Sequence, residues 1–378
     1  MKNIPLFLKL SQITLGLIGL FYILYVGQDI IVPLLFALIL AILLNPLVNF
    51  FTRRKINRVV AIGIAVVLMI LVVLGVLFFI GSQLSMFAES WPELKKRLND
   101  SVNDGLTWFS QTFNVGKYKV NKWVAQQKAE SLQDAGGMIG DTLSSISGTL
   151  IVILLVPVYI FLFLFYKPLL LDFIARLFSA DKHKVIADVL HQTKTLIQKY
   201  LVGLLIELVI VAGMNSVALL IIGIKYAILL GTIGAILNLI PYIGGIVAIA
   251  LPMIMGLITE DPMSAVYVLI AYLIIQIIDN NFLVPKIVAS KVKVNALVSV
   301  VVVLIGGALW GVAGMFLSIP LIAIIKVVFD RVEALAPYGF LIGDTMPDLG
   351  TAVFKFNVKK EKAEIKTSEP PEASVAPD

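Results

Sequence analysis

The sequence predicts an all-α polytopic membrane protein, with about six spanning helices plus two re-entrant helical hairpins in an inverted repeat. Three observations lead to this fold class. Hydrophobic residues make up 59% of the 378 residues and charged residues only 14%, whereas soluble domains carry about 25% charged residues. Apolar runs of spanning length recur along the chain. In the second half, two longer apolar stretches are each broken near their middle by glycine, proline or an aromatic residue.

Six apolar runs have spanning or near-spanning length, since a helix that crosses the hydrocarbon core needs about 20 apolar residues. They cover 11–27, 30–51, 59–81, 146–166, 200–223 and 263–278. The first run follows Lys2 and Lys9, as the apolar part of a signal peptide would. Because it lacks a small-residue cleavage site, we expect a retained helix.

Positive charge in short loops predicts which ends of the spans face the cytoplasm. The loop 52–58 carries four basic residues, and the turn before Gln28 carries none. This places the N-terminus in the cytoplasm. Basic residues after the sixth span and after residue 325 place the C-terminus there as well. Lys225 is an exception, because it falls in a loop expected outside.

The chain divides into five predicted regions. These are the first three membrane helices, an extracytoplasmic helical region, a fourth span with cytoplasmic amphipathic helices, a core with two broken hairpins, and a cytoplasmic tail that is disordered at its end. Their bounds are 1–81, 82–145, 146–199, 200–335 and 336–378.

The broken stretches, 226–258 and 296–325, are too short for two spans. Non-helical backbone at membrane depth occurs only where it is buried in protein or lines a cavity. Loop charge predicts that the first stretch enters from outside and the second from inside. In each, an aromatic residue precedes a proline by ten residues, as Tyr242 precedes Pro252. Paired broken helices of opposite entry indicate a transport site.

Glycine and proline at the two breaks are candidate site residues, because unwound turns expose carbonyls and helix ends that can hold ions. The alternative is that small residues only allow close helix packing. The candidates are Pro241, Gly244, Gly245, Gly306, Gly307 and Gly311.

Ionisable groups within spans are functional candidates, because burying their charge is costly. Asp279 ends the sixth predicted span, beside Gln276, Asn280 and Asn281. Its carboxylate can take a proton or a hard cation such as Na⁺, with the two asparagine amide oxygens completing an oxygen shell. Alternatively, Asp279 lies at the interface and ends a helix.

Two further polar residues lie within apolar segments. Glu207 lies in the fifth span, where it is either a proton carrier or the partner of a lysine at the inner surface. Asn238 comes three residues before the break at Pro241 and is a candidate ligand or an interhelical hydrogen-bonding group.

Several classes of function lack their usual residues. The chain has no cysteine and two histidines, which excludes disulfides and thiolate metal sites. No metalloprotease, serine hydrolase or Walker A motif occurs, so we expect no enzyme and no cofactor beyond H⁺ or Na⁺ as a coupling ion. The net charge of +6 comes largely from loops and tail and gives no reason to invoke nucleic acid.

Several motifs resemble the AI-2E (autoinducer-2 exporter) family of bacterial membrane proteins over about residues 10–335. They are Tyr272-Leu-Ile-Ile-Gln-Ile-Ile-Asp-Asn-Asn-Phe-Leu-Val-Pro285, Gly306-Gly-Ala-Leu-Trp-Gly311 with Pro320, Leu237-Asn-Leu-Ile-Pro-Tyr-Ile-Gly244, and Asn45-Pro46. The resemblance maps the family's acidic-Asn-Asn motif onto Asp279, Asn280 and Asn281. This chain departs from the family in having Asp279 for Glu, Leu204 for Gln, and Asn295-Ala296 for His-Pro.

The resemblance implies a secondary transporter of the bacterial inner membrane, either exporting an autoinducer-2-like signal or exchanging Na⁺ or Li⁺ for H⁺. We expect its partners to be the lipid bilayer, the transported solute and further copies of the chain in a homo-oligomer. Two other hypotheses stay open at this point. One is a passive pore or a scaffold that binds a partner through its external helices, and the other is an intramembrane enzyme that pairs Asp279 with Glu207.

Overall fold

Helices form nearly all of the structure, a computed structural model that describes residues 5–112, 146–240, 244–258, 261, 263–289 and 293–344. Within these residues there is no β-strand, only an isolated bridge between Val294 and Gly343. Among the described residues, five helices are long and apolar enough to cross a membrane by length and composition, or six if one bent pair counts as a single span. The predicted class, an all-α polytopic membrane protein, is confirmed.

The described residues of the first half, 5–112 and 146–176, contain five helices. They are α1 (Leu6–Val26), α2 (Gln28–Arg53), α3 (Arg58–Thr112), α4 (Ile146–Phe165) and α5 (Lys167–Arg176). α2, α3 and α4 share an apolar cluster in which alanines such as Ala37, Ala61 and Ala65 are buried. Small side chains allow membrane helices to approach closely, so these alanines hold the three helices together.

α3 is one helix of 55 residues and continues through residue 82, where the sequence suggested the start of a separate external region. Pro92 lies inside it. The rest of the predicted external region, 113–145, lies outside the described residues.

The second half begins with a single long helix, α6 (His183–Ile222). The sequence predicted a pair of amphipathic helices over 167–199, followed by a span from residue 200. α5 covers the first part of this region, and a short 3₁₀ turn at Ala180–Lys182 leads into α6, which joins residues 183–199 to the span in one helix. The segment 183–222 contains no proline, so nothing in the chain interrupts its hydrogen bonds.

Four further helices follow. They are α7 (Ala227–Asn238), α8 (Gly244–Ile258), α9 (Met263–Ile278) and α10 (Ala296–Phe329), and α9 continues as a π-helical segment over Asp279–Ala289. A 3₁₀ turn at Glu333–Leu335 and the short α11 (Ala336–Ile342) complete the described chain. Pro285 lies inside the π-helical segment, where a ring without an N–H disturbs the ordinary α-helical ladder.

α7 and α8 form an antiparallel pair, named hairpin 1. Gly234 on α7 faces Ala248 on α8, and a Cβ atom at Gly234 would lie 3.6 Å from the Ala248 Cβ. Nearer the tip, an added Cβ at Gly244 would overlap the Leu237 carbonyl oxygen. Backbone therefore packs against backbone at the closed end of the hairpin.

α10 is also a hairpin, named hairpin 2, because it has non-helical dihedral angles at Trp310 and Gly311. Gly311 has a φ of 60°, a conformation that glycine adopts without steric cost. The two halves fold back on each other, so that the Ser318 hydroxyl donates to the Val302 carbonyl oxygen at 2.8 Å. Those residues would lie about 24 Å apart on a straight helix.

The two hairpins start from opposite ends of the α6 and α9 pair. These helices are antiparallel, because Gly203 contacts Ile287 while Asn215 and Tyr272 meet around Gly234. Hairpin 1 leaves from the end of α6 at Gly223, and hairpin 2 follows the end of the π-helical segment. Opposite entry of two hairpins is the arrangement that the sequence predicted.

Candidate functional site

The centre of the candidate site is Asp279, which is only 2% exposed. Its Oδ2 accepts a hydrogen bond of 2.8 Å from Nδ2 of Asn238 on hairpin 1. The carboxyl group therefore does not lie exposed at a surface. It lies between α9 and the end of α7, where the helix changes from α to π geometry, a feature often found at functional sites.

A small cavity of about 10 Å³ lies beside this carboxyl group, about the size that holds one water molecule. Helices α6, α7, α8 and α9 all contribute to its wall. The lining residues are Val211, Asn215, Gly234, Asn238, Gly245, Ala248, Tyr272, Ile275, Gln276 and Asp279.

Three oxygen atoms at this cavity are buried without a hydrogen-bond partner. They are Oδ1 of Asp279, Oδ1 of Asn215 and the hydroxyl oxygen of Tyr272. Buried polar atoms are almost always paired in folded proteins, so a set of unpaired oxygens around one space indicates a missing partner. A carboxylate, an amide oxygen and a hydroxyl are the ligands that hard cations prefer.

Local sequence explains how these groups converge. Tyr272 precedes Asp279 by seven residues, two helical turns, so both lie on one face of α9. Gly234 leaves room for them, because a Cβ there would lie 3.0 Å from the Tyr272 hydroxyl and 3.4 Å from Asn215 Nδ2. Gly245 leaves room on the other side, because a Cβ there would lie 2.7 Å from Gln276 Oε1.

Glu207 lies on α6 outside the cavity. Asn215, which lines the cavity, follows it by eight residues and lies on the same helix face. Its side chain is 5% exposed, and Oε2 has no hydrogen-bond partner. It is close enough to Asp279 for the two carboxyl groups to interact electrostatically. The structure thus brings together the two acids that the sequence singled out.

Asn280 and Asn281 do not complete the shell of Asp279, contrary to the sequence-based expectation. Both side chains are exposed. Asn280 Oδ1 accepts a hydrogen bond of 3.3 Å from Gln276, and Asn281 donates to the Ile277 carbonyl oxygen at 2.8 Å. Successive residues on a helix point in directions about 100° apart. Asn280 and Asn281 directly follow Asp279, so their side chains point away from its buried carboxyl group.

The glycines at the breaks have different roles. Gly245 lines the cavity, and Gly244 closes the tip of hairpin 1. Gly306 and Gly307 instead pack against the second half of hairpin 2, and Gly311 supplies its left-handed turn. Pro241 lies outside the described residues.

Asn215 and Tyr272 are site residues that sequence reasoning did not select. Asn215 is not among the candidates named from the sequence, and Tyr272 enters only within the longer motif. A usable signal was their spacing, because Asn215 follows Glu207 by eight residues and Tyr272 precedes Asp279 by seven. Each interval places the polar residue on the helix face of the acid.

Of the departures from the family pattern, Asp279 lines the cavity, whereas Leu204 and Asn295 lie away from it. Leu204 is buried in an apolar cluster with Val303 and Leu317 of hairpin 2. Asn295 caps the first helix of hairpin 2, where its side chain accepts from the Val298 N–H at 2.9 Å. Asn295 also donates to the Leu341 carbonyl oxygen at 2.7 Å, which fastens α11 to the base of hairpin 2.

These features define a class of protein. Helical hairpins that enter from opposite ends and a buried acid at a helix irregularity are characteristic of membrane transport proteins. The chain belongs to the AI-2E family transporters, whose sequence profile matches residues 14–334.

Individual relatives agree with this assignment. YhhT of Escherichia coli strain K12, which carries the name of a transport protein, is 25% identical over 351 residues, or 90% of this chain and 94% of YhhT. A Haemophilus influenzae protein with a similar name is 27% identical, covering 89% of this chain and 97% of its own length. TqsA of Escherichia coli strain K12, named an AI-2 transport protein, is 24% identical, covering 91% and 97%.

Proposed function

We propose that this transporter couples solute movement to a cation gradient across the bacterial cytoplasmic membrane, with Asp279 as the coupling group. In the form we favour, a monovalent cation such as Na⁺ or Li⁺ and a proton compete for the same carboxyl group. The observation that carries the proposal is the Asp279 carboxyl at 2% exposure, with unpartnered oxygens around the adjoining cavity.

Charge balance explains why the two ions would exclude each other. A carboxylate far from water is costly unless it is neutralised by a proton or by a bound cation. With a cation in the cavity, Oδ1 of Asp279, Oδ1 of Asn215 and the Tyr272 hydroxyl would act as ligands. With a proton on Asp279, the site would be neutral without the cation. Entry of one ion thus favours release of the other.

Asn238 and Glu207 would have supporting roles. Asn238 belongs to hairpin 1, so its hydrogen bond to Asp279 would make ion binding sensitive to movement of that hairpin. Glu207 carries a second carboxyl group near the first, and two such groups in a low-dielectric interior repel each other when both are charged. It would therefore favour cation binding or accept the proton that Asp279 releases.

A second candidate function is export of an autoinducer-2-like signal, and the likeness to TqsA favours it. The cavity of about 10 Å³ accepts a single small ion or water. A sugar-sized solute would therefore need a larger site, opened by movement of the hairpins. Cation coupling at Asp279 is compatible with such export.

Proteoliposomes that contain a pH-sensitive dye test the proposal directly. A Na⁺ or Li⁺ jump should drive saturable proton movement in the wild type. Asp279→Asn keeps the shape of the side chain but cannot hold a charge, so it should reduce that movement by about tenfold or more. Asn281→Ala, on the exposed side of the same segment, is the matched control and should keep wild-type flux.

Full activity of Asp279→Asn would remove this carboxyl group from the mechanism. Absence of cation-driven proton movement in the wild type would refute cation coupling. Uptake of labelled autoinducer-2 under the same gradients then tests the second candidate. Non-saturating conductance would instead support the passive pore.

A further inference from the structure

A second polar region lies where α2, α3, α4 and α5 meet. It is a cavity of about 480 Å³, here named the basic pocket. Its lining residues include Asn45, Arg58, Leu164, Lys167, Pro168 and Leu171. None of these lining residues is acidic, so the pocket presents positive charge and hydrogen-bond donors.

Both cations of the pocket are held by uncharged oxygen atoms. Arg58 donates to the Leu164 carbonyl oxygen at 2.9 Å, and Lys167 Nζ donates to Oδ1 of Asn45 at 2.9 Å. Lys194 on α6 is near enough to add its charge. Burial, followed by the charges of Lys194 and Arg58, lowers the pKa of Lys167. A negatively charged ligand would relieve this repulsion.

Asn45 supplies an independent indication of the ligand's chemistry. Its side chain is 6% exposed, and its Nδ2 has no hydrogen-bond partner. Lysine can only donate hydrogen bonds, so the Asn45 atom that accepts from Lys167 must be the oxygen. The unpartnered atom is therefore the NH₂ donor, which requires an acceptor. An amide, an ammonium and a guanidinium around one pocket match the oxygens of a phosphate group.

The surroundings indicate that this phosphate belongs to a lipid. α5 bends 61° away from α4 and has no buried residue, while Leu169 and Phe173 are exposed on it. Helices with exposed apolar residues beside a basic region lie in the headgroup zone of a bilayer, with the apolar side in the acyl boundary. The basic pocket adjoins α5 through Lys167, Pro168 and Leu171, and so opens at the depth of lipid headgroups.

We propose that the basic pocket binds the headgroup phosphate of an anionic phospholipid, with Lys167, Arg58 and Asn45 as its ligands. Basic pockets between membrane helices bind anionic headgroups in this way. The site is separate from the Asp279 cavity, and the proposal does not depend on the transported solute.

Native mass spectrometry of the full-length protein in detergent, with phosphatidylglycerol or phosphatidylcholine added, tests this site. We expect the wild type to retain phosphatidylglycerol preferentially. Lys167→Gln keeps a donor for Asn45 but removes the charge, and Arg58→Gln keeps an amide donor for the Leu164 carbonyl oxygen but removes the charge. Each should lower phosphatidylglycerol occupancy by about tenfold, since each loses a charge-assisted hydrogen bond.

Arg176→Gln is the matched control. Arg176 lies on α5 outside the pocket, pairs with Asp172 at 2.9 Å and has a side chain that is 78% exposed. It should leave lipid occupancy unchanged. Thermal unfolding without added lipid checks that each variant is folded, and Arg58→Gln carries the test if Lys167→Gln is unstable.

Three results would overturn the proposal. One is equal retention of the two lipids by the wild type, and another is unchanged lipid preference in both pocket variants. The third is complete displacement of phosphatidylglycerol by millimolar inorganic phosphate, which would identify a site for soluble anions instead.

Discussion

Hairpin 1 and hairpin 2 are both antiparallel helical pairs, but they enclose different chemistry. Hairpin 1 brings Asn238 to the Asp279 carboxyl group and leaves space beside Gly245. Hairpin 2 fills its own interior, with Gly306 against Gly314 and Ser318 bonded to the carbonyl oxygens of Val302 and Gly314. A broken membrane helix is therefore not a binding site by itself. The break in hairpin 1 differs in lying beside polar atoms that have no partner.

The ends of the hairpins differ as well. The Trp310 indole N–H donates to the Leu24 carbonyl oxygen of α1 at 2.9 Å, which fixes the tip of hairpin 2. At its base, Asn295 joins hairpin 2 to α11. Leu239, next to Asn238, packs against the apolar cluster that contains Val303 and Leu317. Hairpin 2 is thus bonded to α1 and α11, and the end of hairpin 1 packs against it.

Among the variants that test the difference between the hairpins, Gly306→Ala should have the largest effect. The added methyl group would overlap the Ser318 Oγ and lie 2.6 Å from the Gly314 carbonyl oxygen, and backbone cannot easily move away. We expect a loss of about 1–3 kcal/mol in the free energy of unfolding, as for other overpacked sites. Thermal unfolding in detergent measures it.

Gly213→Ala is the control for this change, because nothing lies within 4 Å of the Cβ position at Gly213. A helical glycine replaced by alanine in open space should be neutral or stabilising. Equal unfolding midpoints for Gly306→Ala and Gly213→Ala would contradict the tight packing of hairpin 2.

Gly245→Ala should affect flux more than stability. Its methyl group would lie 2.7 Å from Gln276 Oε1, the end of a flexible side chain, and 3.5 Å from Asn238 Oδ1. Gln276 can move at little cost, but the Asp279 cavity becomes smaller. We expect cation-driven flux to fall about fivefold, near 1 kcal/mol, with an unfolding midpoint close to wild type.

The matched variant on hairpin 2 is Gly307→Ala, whose methyl group would also meet a flexible side chain, Met315 at 2.7 Å. Because Gly307 does not line the Asp279 cavity, flux should stay at the wild-type level. If both alanine variants slow transport equally, the division of roles between the hairpins is wrong.

The smallest expected effect is that of Trp310→Phe. Phenylalanine keeps an aromatic ring but has no N–H for the Leu24 carbonyl oxygen. Loss of one partly buried hydrogen bond costs about 0.5–1.5 kcal/mol, so the unfolding midpoint should fall slightly. Tyr22→Phe, at an exposed position of α1, is the control. An unchanged midpoint for Trp310→Phe would show that the tether to α1 contributes nothing measurable.

Much of the fold was predictable, because the bilayer imposes strong rules on length and polarity. The lengths of the apolar runs predicted the spans. The glycine and aromatic residues near 310 predicted hairpin 2, which composition alone would count as one helix. The start of α6 at His183 was missed. Amphipathic and apolar segments follow one another there, and only the absence of proline signals that they form one continuous helix.

The candidate site was predictable in part. The cost of burying charge pointed to Asp279 and Glu207, and the position of Asn238 next to a break pointed to its role. Asn280 and Asn281 do not lie at the buried carboxyl group, because neighbours in sequence point in different directions on a helix. Asn215 and Tyr272 were overlooked since no single residue reveals which helix faces meet. That information depends on Gly234, whose missing side chain lets three helices converge.

The lengths of the helices in hairpin 1 bear on how the protein is made. α7 has 12 residues and α8 has 15, or about 18 and 22 Å at 1.5 Å per residue. Neither length suffices for independent insertion, which needs about 20 apolar residues. α6, and α9 together with its π-helical continuation to Ile287, are long enough to span, so they can enter the bilayer separately and then associate. Hairpin 1 is therefore a late element in biogenesis, completed only when the groove between its two neighbours already exists.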